Sequence, residues 1–225
     1  MKAMKLLLLL LALLLASCTT TQNIPSISEA EAQAALVEVV RLSAQNLDTT
    51  ALTSLPLSAL LDRESAHLSE EQAIPRLPQR LEAWADEVRE AFRTTARLLA
   101  DEVDDLAPRL LLEDGPTMIR TKTSATSVLR HQFADEITAK GEELLAQALA
   151  SSQESWRLIR SRYEVWQHGR LLLGESQGEA VTEDLFDHLL ALFTNTILDA
   201  LEHEELLLRT TPVVKGSGSF LEVFQ

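Results

Sequence analysis

A stripe of large apolar residues constrains this chain more than any other feature. Leu77, Leu81, Trp84, Val88, Phe92, Leu99 and Val103 follow one another at steps of three, four or seven. Asp86, Glu87, Glu90, Asp101, Glu102, Asp104 and Asp105 fall mostly off that stripe. At 3.6 residues per turn such spacing gathers the apolar side chains on one side of a helix and leaves an acidic outer side. A helix of this kind must bury its stripe against other helices. The sequence supplies them. Ala32, Ala35, Leu36, Val39, Val40 and Leu47 keep helical spacing. So do Leu129, Phe133, Ile137, Leu144, Leu145, Leu149, Trp156, Ile159, Tyr163 and Trp166, and then Leu185, Leu189, Phe193, Ile197 and Leu201. No stretch alternates convincingly with period two, so the fold class is all-α. Residues 28–225 are expected to form a single helical-bundle-like domain of about five to seven helices.

Local signals set the expected boundaries. Ser28-Glu29-Ala30-Glu31 has the Ser-x-x-Glu form of a capping box and opens the first helix. Pro56, Pro75 and Pro78 break the next stretch, leaving a short helix from Leu57 to His67. Pro78 suits the first turn of the acidic-sided helix. Pro108 and Gly115-Pro116 mark further breaks. From Thr123 to Trp166 there is no proline and one glycine, Gly141. One helix of that length would reach ~65 Å, so a break is expected near Ala139-Lys140-Gly141. Gly169, Gly174 and Gly178 read as a loop, and Thr182 as the cap of the last long helix. Pro212 and Gly216-Ser217-Gly218-Ser219 loosen the chain before a short apolar tip at Phe220–Phe224.

The N-terminus is of another kind. Met1-Lys2-Ala3-Met4-Lys5 is basic, residues 6–15 are almost pure Leu, and Leu15-Ala16-Ser17-Cys18 follows. A basic start, an apolar run and small residues before a cut are the parts of a secretory signal. The run is about half of the ~20 residues a spanning helix needs. Leu15-Ala16-Ser17-Cys18 resembles the bacterial lipobox at all four positions. The resemblance implies a cleaved lipoprotein signal peptide at 1–17, with Cys18 as the first mature residue, acylated on sulfur by a fatty acid such as palmitate. Residues 18–27 are small and polar and read as a lipidated tether reaching at most ~30 Å. Thr19 follows Cys18 where an aspartate would direct retention in lipoproteins of the enterobacterial type. That implies an outer-membrane lipoprotein facing the periplasm, with the inner membrane and the cell surface as alternatives.

Cys18 is also the one cysteine. With lipid on it, the mature chain has no disulfide, zinc–thiolate site or cysteine nucleophile, and depends on a packed core. The chain carries 20 basic and 34 acidic residues. Removal of Lys2 and Lys5 leaves 18 basic residues and a formal charge of −16. Nucleic-acid binders need a cationic face, so none is expected as a partner. A broad electrostatic grip on anionic lipid is equally disfavoured, and the anchor must hold the membrane.

A further resemblance lies in the C-terminal half. Leu201-Glu202-His203-Glu204-Glu205-Leu206-Leu207-Leu208-Arg209, Pro212-Val213 and Leu221-Glu222-Val223-Phe224 resemble the closing motif of the bacterial exported family called domain of unknown function 4197. Phe193-Thr194, Leu198-Asp199-Ala200-Leu201, Ile119-Arg120 with Thr121 and Thr123, and Ile74-Pro75 with Leu77-Pro78 are similar to its upstream segments. Met118-Ile119 stand where that family has an aromatic pair, and Gly216–Ser219 where it has a basic stretch. The resemblance implies a helical exported protein and brings no reaction with it.

The chemistry-bearing residues form few constellations. Asp184 with His188 and Asp199 with His203 share helix faces, a pattern that seeds a metal site or simply makes a surface pair. Gly-x-Ser-x-Gly and phosphate-loop motifs are absent. Trp156, Arg157, Arg160, Arg162, Tyr163, Trp166 and Arg170 form a basic, aromatic patch in an acidic chain. It reads either as a docking surface, since Trp, Tyr and Arg dominate binding hot spots, or as core aromatics with arginines paired to the acidic helix at 86–105. Arg120, Glu204, Glu205 and Arg209 are candidates for a structural polar network, with Arg120 meeting Glu204 or Glu205 across helices. The expected role is non-catalytic binding or scaffolding in the cell envelope, without cofactor or metal. The alternatives are a carrier of an acyl or other apolar ligand in a helical cavity, and a carboxylate-dependent hydrolase of an envelope polymer. Possible partners are the membrane through the anchor, an envelope protein, or an apolar ligand.

Overall fold

The structure is a computed structural model that describes residues 27–176, 178–213, 216 and 219–225. The signal, Cys18 and nearly all of the tether lie outside the described residues. Every regular element among the described residues is helical. The chain is an all-α bundle.

Helix α1 spans Glu29–Gln45. Ser28 caps it as the sequence signals: its hydroxyl accepts from the Glu31 amide, and the Glu31 carboxylate accepts from the Ser28 amide at 3.1 Å. Two helical turns follow, α2 (Thr50–Thr53) and α3 (Leu57–Leu60), then a 3-10 turn at Ala66–Ser69. The continuous helix expected from Leu57 to His67 is therefore two pieces. Asp62 is the reason: its carboxylate accepts from the Ser65 amide at 2.9 Å and turns the chain instead of letting it wind on.

Helix α4, Leu77–Leu106, is the central element and carries Pro78 in its first turn. The whole apolar stripe from Leu77 to Val103 is buried. α1 lies along it, with Arg41 donating to Asp104 at 2.8 Å. α5 (Gly115–Thr121) and α6 (Ala125–Gln132) pack against α1. α7 (Ala134–Ala148) and α8 (Ala150–Leu172) cover successive parts of α4, and α9 (Phe186–Thr210) packs on α1, α6 and α7. Aromatic pairs tie the layers together. Phe92 of α4 meets Phe193 of α9 at 5.3 Å between ring centres, and Trp84 meets Trp156 of α8 at 5.0 Å. Such contacts add about 0.5–1.5 kcal/mol each beyond the area they bury.

Three boundaries differ from expectation. The long proline-free stretch breaks at Phe133 and Leu149, and not at Ala139–Gly141. Gly141 lies inside α7, where a Cβ would sit 3.9 Å from Phe193, so its small size serves the crossing with α9. Gly169 lies inside α8 and belongs to no loop, whereas Gly174, at φ +82°, does turn the chain just past that helix. Thr182 does not cap α9. That helix starts at Phe186, whose amide donates to Asp184 at 2.9 Å, while the Thr182 hydroxyl is taken by Asp62.

Candidate docking face and cleft

The aromatic and basic residues from 156 to 170 share α8 but have different surroundings. Trp156 is buried, and its indole N–H donates to the Thr182 carbonyl at 3.2 Å. Tyr163 is buried between the His67 Nε2, at 3.0 Å, and the Glu179 carbonyl, which accepts its hydroxyl at 3.3 Å. Trp166 is half-buried with the Arg170 guanidinium 4.9 Å from its ring centre. The arginines do not pair with the acidic side of α4. Arg157 meets Glu154 at 3.1 Å, Arg160 meets Glu164 at 3.1 Å and Glu183 at 3.6 Å, and Arg170 meets Glu175. The cause is the Trp84–Trp156 contact. It places α8 on the apolar stripe of α4, so the arginines point away. The acidic side of α4 finds its cations in Arg41, Arg89, Arg93 and Lys140 instead.

Beside these arginines a half-open cleft of about 620 Å³ runs between α4, α8 and the start of α9. Trp84, Leu149, Trp156, Leu185, Phe186 and Leu189 make its apolar lining. Arg157, Arg160, Glu183 and Asp184 supply the charges. Glu183, Asp184 and Leu185 form one wall, and the chain just before them is fastened from below. Asp62 holds the Thr182 hydroxyl, and the buried Ser65 hydroxyl accepts from the Thr182 amide at 3.1 Å. Burial opposes the Asp62 charge. The hydrogen bonds from Thr182 and Ser65, with His188 nearby, outweigh it and hold this carboxyl below its ordinary 3.8.

The last third of α8 leaves the bundle. Beyond Tyr163 most of its surface is solvent-exposed, including Val165 and Leu171–Leu173. No apolar signal in the sequence separated these exposed leucines from core ones. The helical period runs on without interruption while the neighbouring elements stop.

The polar network forms around Glu205. This carboxylate, 1% exposed, accepts from the Ala125 and Thr126 amides and the Ser124 hydroxyl at the start of α6. Arg209 Nη2 lies 2.6 Å from its Oε1, and Arg209 Nη1 donates to the Thr123 carbonyl. The Phe224 ring covers Arg209 at 5.0 Å. Burial pulls the Arg209 guanidinium below its usual value, with Glu205 acting against that. Arg120 stands outside the network. It donates to Thr117 within its own short helix at 2.7 Å, because α5 packs chiefly on α1. Glu204, one residue around the helix from Glu205, instead lines a shallow 290 Å³ depression with Asp48, Asp199 and His203.

His188 and both aspartates of these pairs are occupied by protein. His188 bonds the Ala59 carbonyl at 2.9 Å while Asp184 caps α9, and Asp199 pairs with Arg130. Among the described residues no group of three or more His, Cys, Asp or Glu side chains converges as metal ligands would. No described helix is long and apolar enough to cross a membrane. No family model, curated protein or solved structure matches the chain.

Proposed function

We propose that the chain is a lipid-anchored lipoprotein of the cell envelope, held in the outer membrane through Cys18 and facing the periplasm. Its role is non-catalytic binding or scaffolding, with α8 as the docking element. The observation that carries this reading is the placement of the two ends of the body. The start of α1 packs near the end of α4, where Gln33 donates to Leu110 and Glu29 accepts from the Gly115 amide. The packed part of α8 meets the beginning of α4 through Trp156 on Trp84, and Tyr163, where the projecting part starts, meets His67. The thirty residues of α4 span ~45 Å. A body tethered before Ser28 therefore holds α8 far from its attachment point. An exposed apolar end carried away from the anchor suits a protein partner.

A second reading is favoured by the cleft. Its tryptophan and leucine lining suits an apolar ligand, which would make the protein a carrier. The hydrolase reading draws less support. The carboxyls with a marked shift, Glu31, Asp48, Asp62, Glu90, Asp114 and Glu136, are all held low by hydrogen bonds, opposite to what a general acid needs. Kinship with domain of unknown function 4197 belongs to the same proposal. Glu205 and Arg209, which carry that likeness with Phe224, are buried side by side, and the partly buried Phe224 ring covers Arg209.

Intact-mass analysis of the protein from the membrane fraction tests the anchor. The expected mass lacks residues 1–17 and carries acyl chains on Cys18, and Cys18→Ser yields an uncleaved, unacylated chain. Wild-type protein that keeps residues 1–17 and carries no acyl chain would overturn it. Native mass spectrometry of the same preparation separates the two binding readings, since a carrier retains lipid in the cleft.

A further inference from the structure

We infer that the exposed face of α8 binds a second copy of this chain, as an antiparallel helix pair with its two-fold axis at Val165. The face is Leu158, Ser161, Val165, Gly169 and Leu172, all exposed, with Leu158 at 51%, Val165 at 70% and Leu172 at 77%. Seven-residue spacing keeps Leu158, Val165 and Leu172 along one side of the helix. The order of sizes is symmetric about Val165: large, small, medium, small, large. An isologous contact requires that symmetry, since residue i of one copy must meet residue j of the other and the reverse. With the helices antiparallel, Leu158 meets Leu172, Ser161 meets Gly169, and Val165 meets Val165. The two small residues let the backbones approach.

Gly169 is an independent pointer. A glycine within a helix costs about 0.5–1 kcal/mol relative to alanine. Among the described residues nothing explains that cost, because a Cβ at Gly169 would meet no atom within 4 Å. Gly141 and Gly115, by contrast, are each explained by a neighbouring helix. A close neighbour outside the chain gives Gly169 the same reason.

Charge does not bar this face. With 34 acidic and 20 basic residues, two copies repel over most of their surfaces. Along residues 150–172 the charges nearly cancel, since Arg157, Arg160 and Arg170 are each held by a nearby glutamate. The five residues of the face carry no charge. Three large side chains per copy bury less than the ~800 Å² per partner of a standard interface, so the pair is of the weak class. Attachment to one membrane would raise the effective concentration of such a pair. The inference rests on α8 being a docking element and is independent of acylation.

The test is disulfide trapping in the full chain bearing Cys18→Ser, in mild detergent, so that an introduced cysteine is the one thiol. Copper–phenanthroline with dissolved oxygen serves as oxidant. Val165→Cys is expected to form a covalent dimer alone. Leu158→Cys and Leu172→Cys are expected to cross-link when mixed and to give at most a tenth of that yield singly. Circular dichroism checks that each variant is folded. Equal self-cross-linking at all three positions would indicate a parallel pair and overturn the proposal, as would absence of any dimer. In envelope fractions, trapping of Val165→Cys on a different protein would also overturn it while leaving the docking role of α8 intact.

Discussion

Glu205 caps a helix to which it does not belong. Its Oε1 accepts from the Ala125 amide at 2.8 Å, across eighty residues of sequence. The first amides of α6 have no partners within their own helix, and the helix dipole favours an anion there. Glu205 supplies both needs while meeting Arg209. Glu205→Ala would leave two amides and a buried guanidinium uncompensated. It is expected to lower the unfolding free energy by about 3–5 kcal/mol, as for one-sided breakage of a buried pair. Joint replacement by Glu205→Leu and Arg209→Met should lose less than the single change. Chemical denaturation of both variants checks the order, and an equal or greater loss in the double variant would contradict it.

Trp156 and the arginines beside it should respond in opposite ways. Trp156→Ala removes a buried ring packed on Trp84 and is expected to cost ~3–5 kcal/mol. Arg157→Glu with Arg160→Glu breaks exposed or partly exposed ion pairs and should cost ~0–1 kcal/mol for each. Thermal melts decide. Unchanged stability for Trp156→Ala would mean that α8 is not docked on α4.

Acid should loosen the wall of the cleft. The Asp62 carboxyl is held below its ordinary value in the folded chain, with burial opposing and the hydrogen bonds from Thr182 and Ser65 prevailing. A depressed carboxyl stabilises the fold fully above its unfolded pKa, near 3.8, and loses that contribution as pH falls through the lower folded value. The protection of the Thr182 amide from hydrogen exchange, taken relative to its intrinsic rate at each pH, should therefore stay high at neutral pH and fall below about pH 4. Asp62→Asn should exchange faster at neutral pH and show a weaker acid response. Identical profiles in the two proteins would count against Asp62 as the fastener.

Two glycines should give opposite signs. At Gly115 a Cβ would lie 3.0 Å from the Cβ of Ala32, so Gly115→Ala forces α5 away from α1 and should cost ~1–3 kcal/mol. At Gly169 the space is open, and Gly169→Ala should stabilise the dilute chain by ~0.5–1 kcal/mol. The same change should reduce disulfide trapping at Val165→Cys. Gain of stability with unchanged trapping would separate Gly169 from the proposed helix pair.

Much of the fold is legible locally. Ser28 and Glu31 announce α1 because a capping box needs only residues three apart, and the stripe from Leu77 to Val103 announces α4 because its period is the helix's own. The breaks at Phe133 and Leu149 are not legible. Neither is a glycine or proline, and each is set by how α7 turns between α4 and its neighbours. Gly141 misleads for the complementary reason: its smallness answers Phe193, some fifty positions later. Thr182 resembles a cap but meets Asp62, 120 residues earlier. At the candidate site, the residue types of α8 are visible in sequence, while their partners are not. Arg157, Arg160 and Arg170 could have met any of several acidic runs, and only the docking of Trp156 on Trp84 decides which. The four-residue step from Glu205 to Arg209 is visible in sequence, while the burial of Glu205 and its hold on the start of α6 are not.

The Trp84–Trp156 contact also gives the protein an optical probe of its own. Two of its three tryptophans lie 5.0 Å apart across the α4–α8 joint, and both line the cleft. Indoles that close couple their transitions, so near-ultraviolet dichroism registers the joint itself. Trp166, farther along α8 beneath Arg170, is the remaining emitter and stands near the exposed helix end. Occupancy of the cleft and contact at the helix end therefore perturb different chromophores. The two kinds of binding can be told apart by spectroscopy of the unlabelled chain.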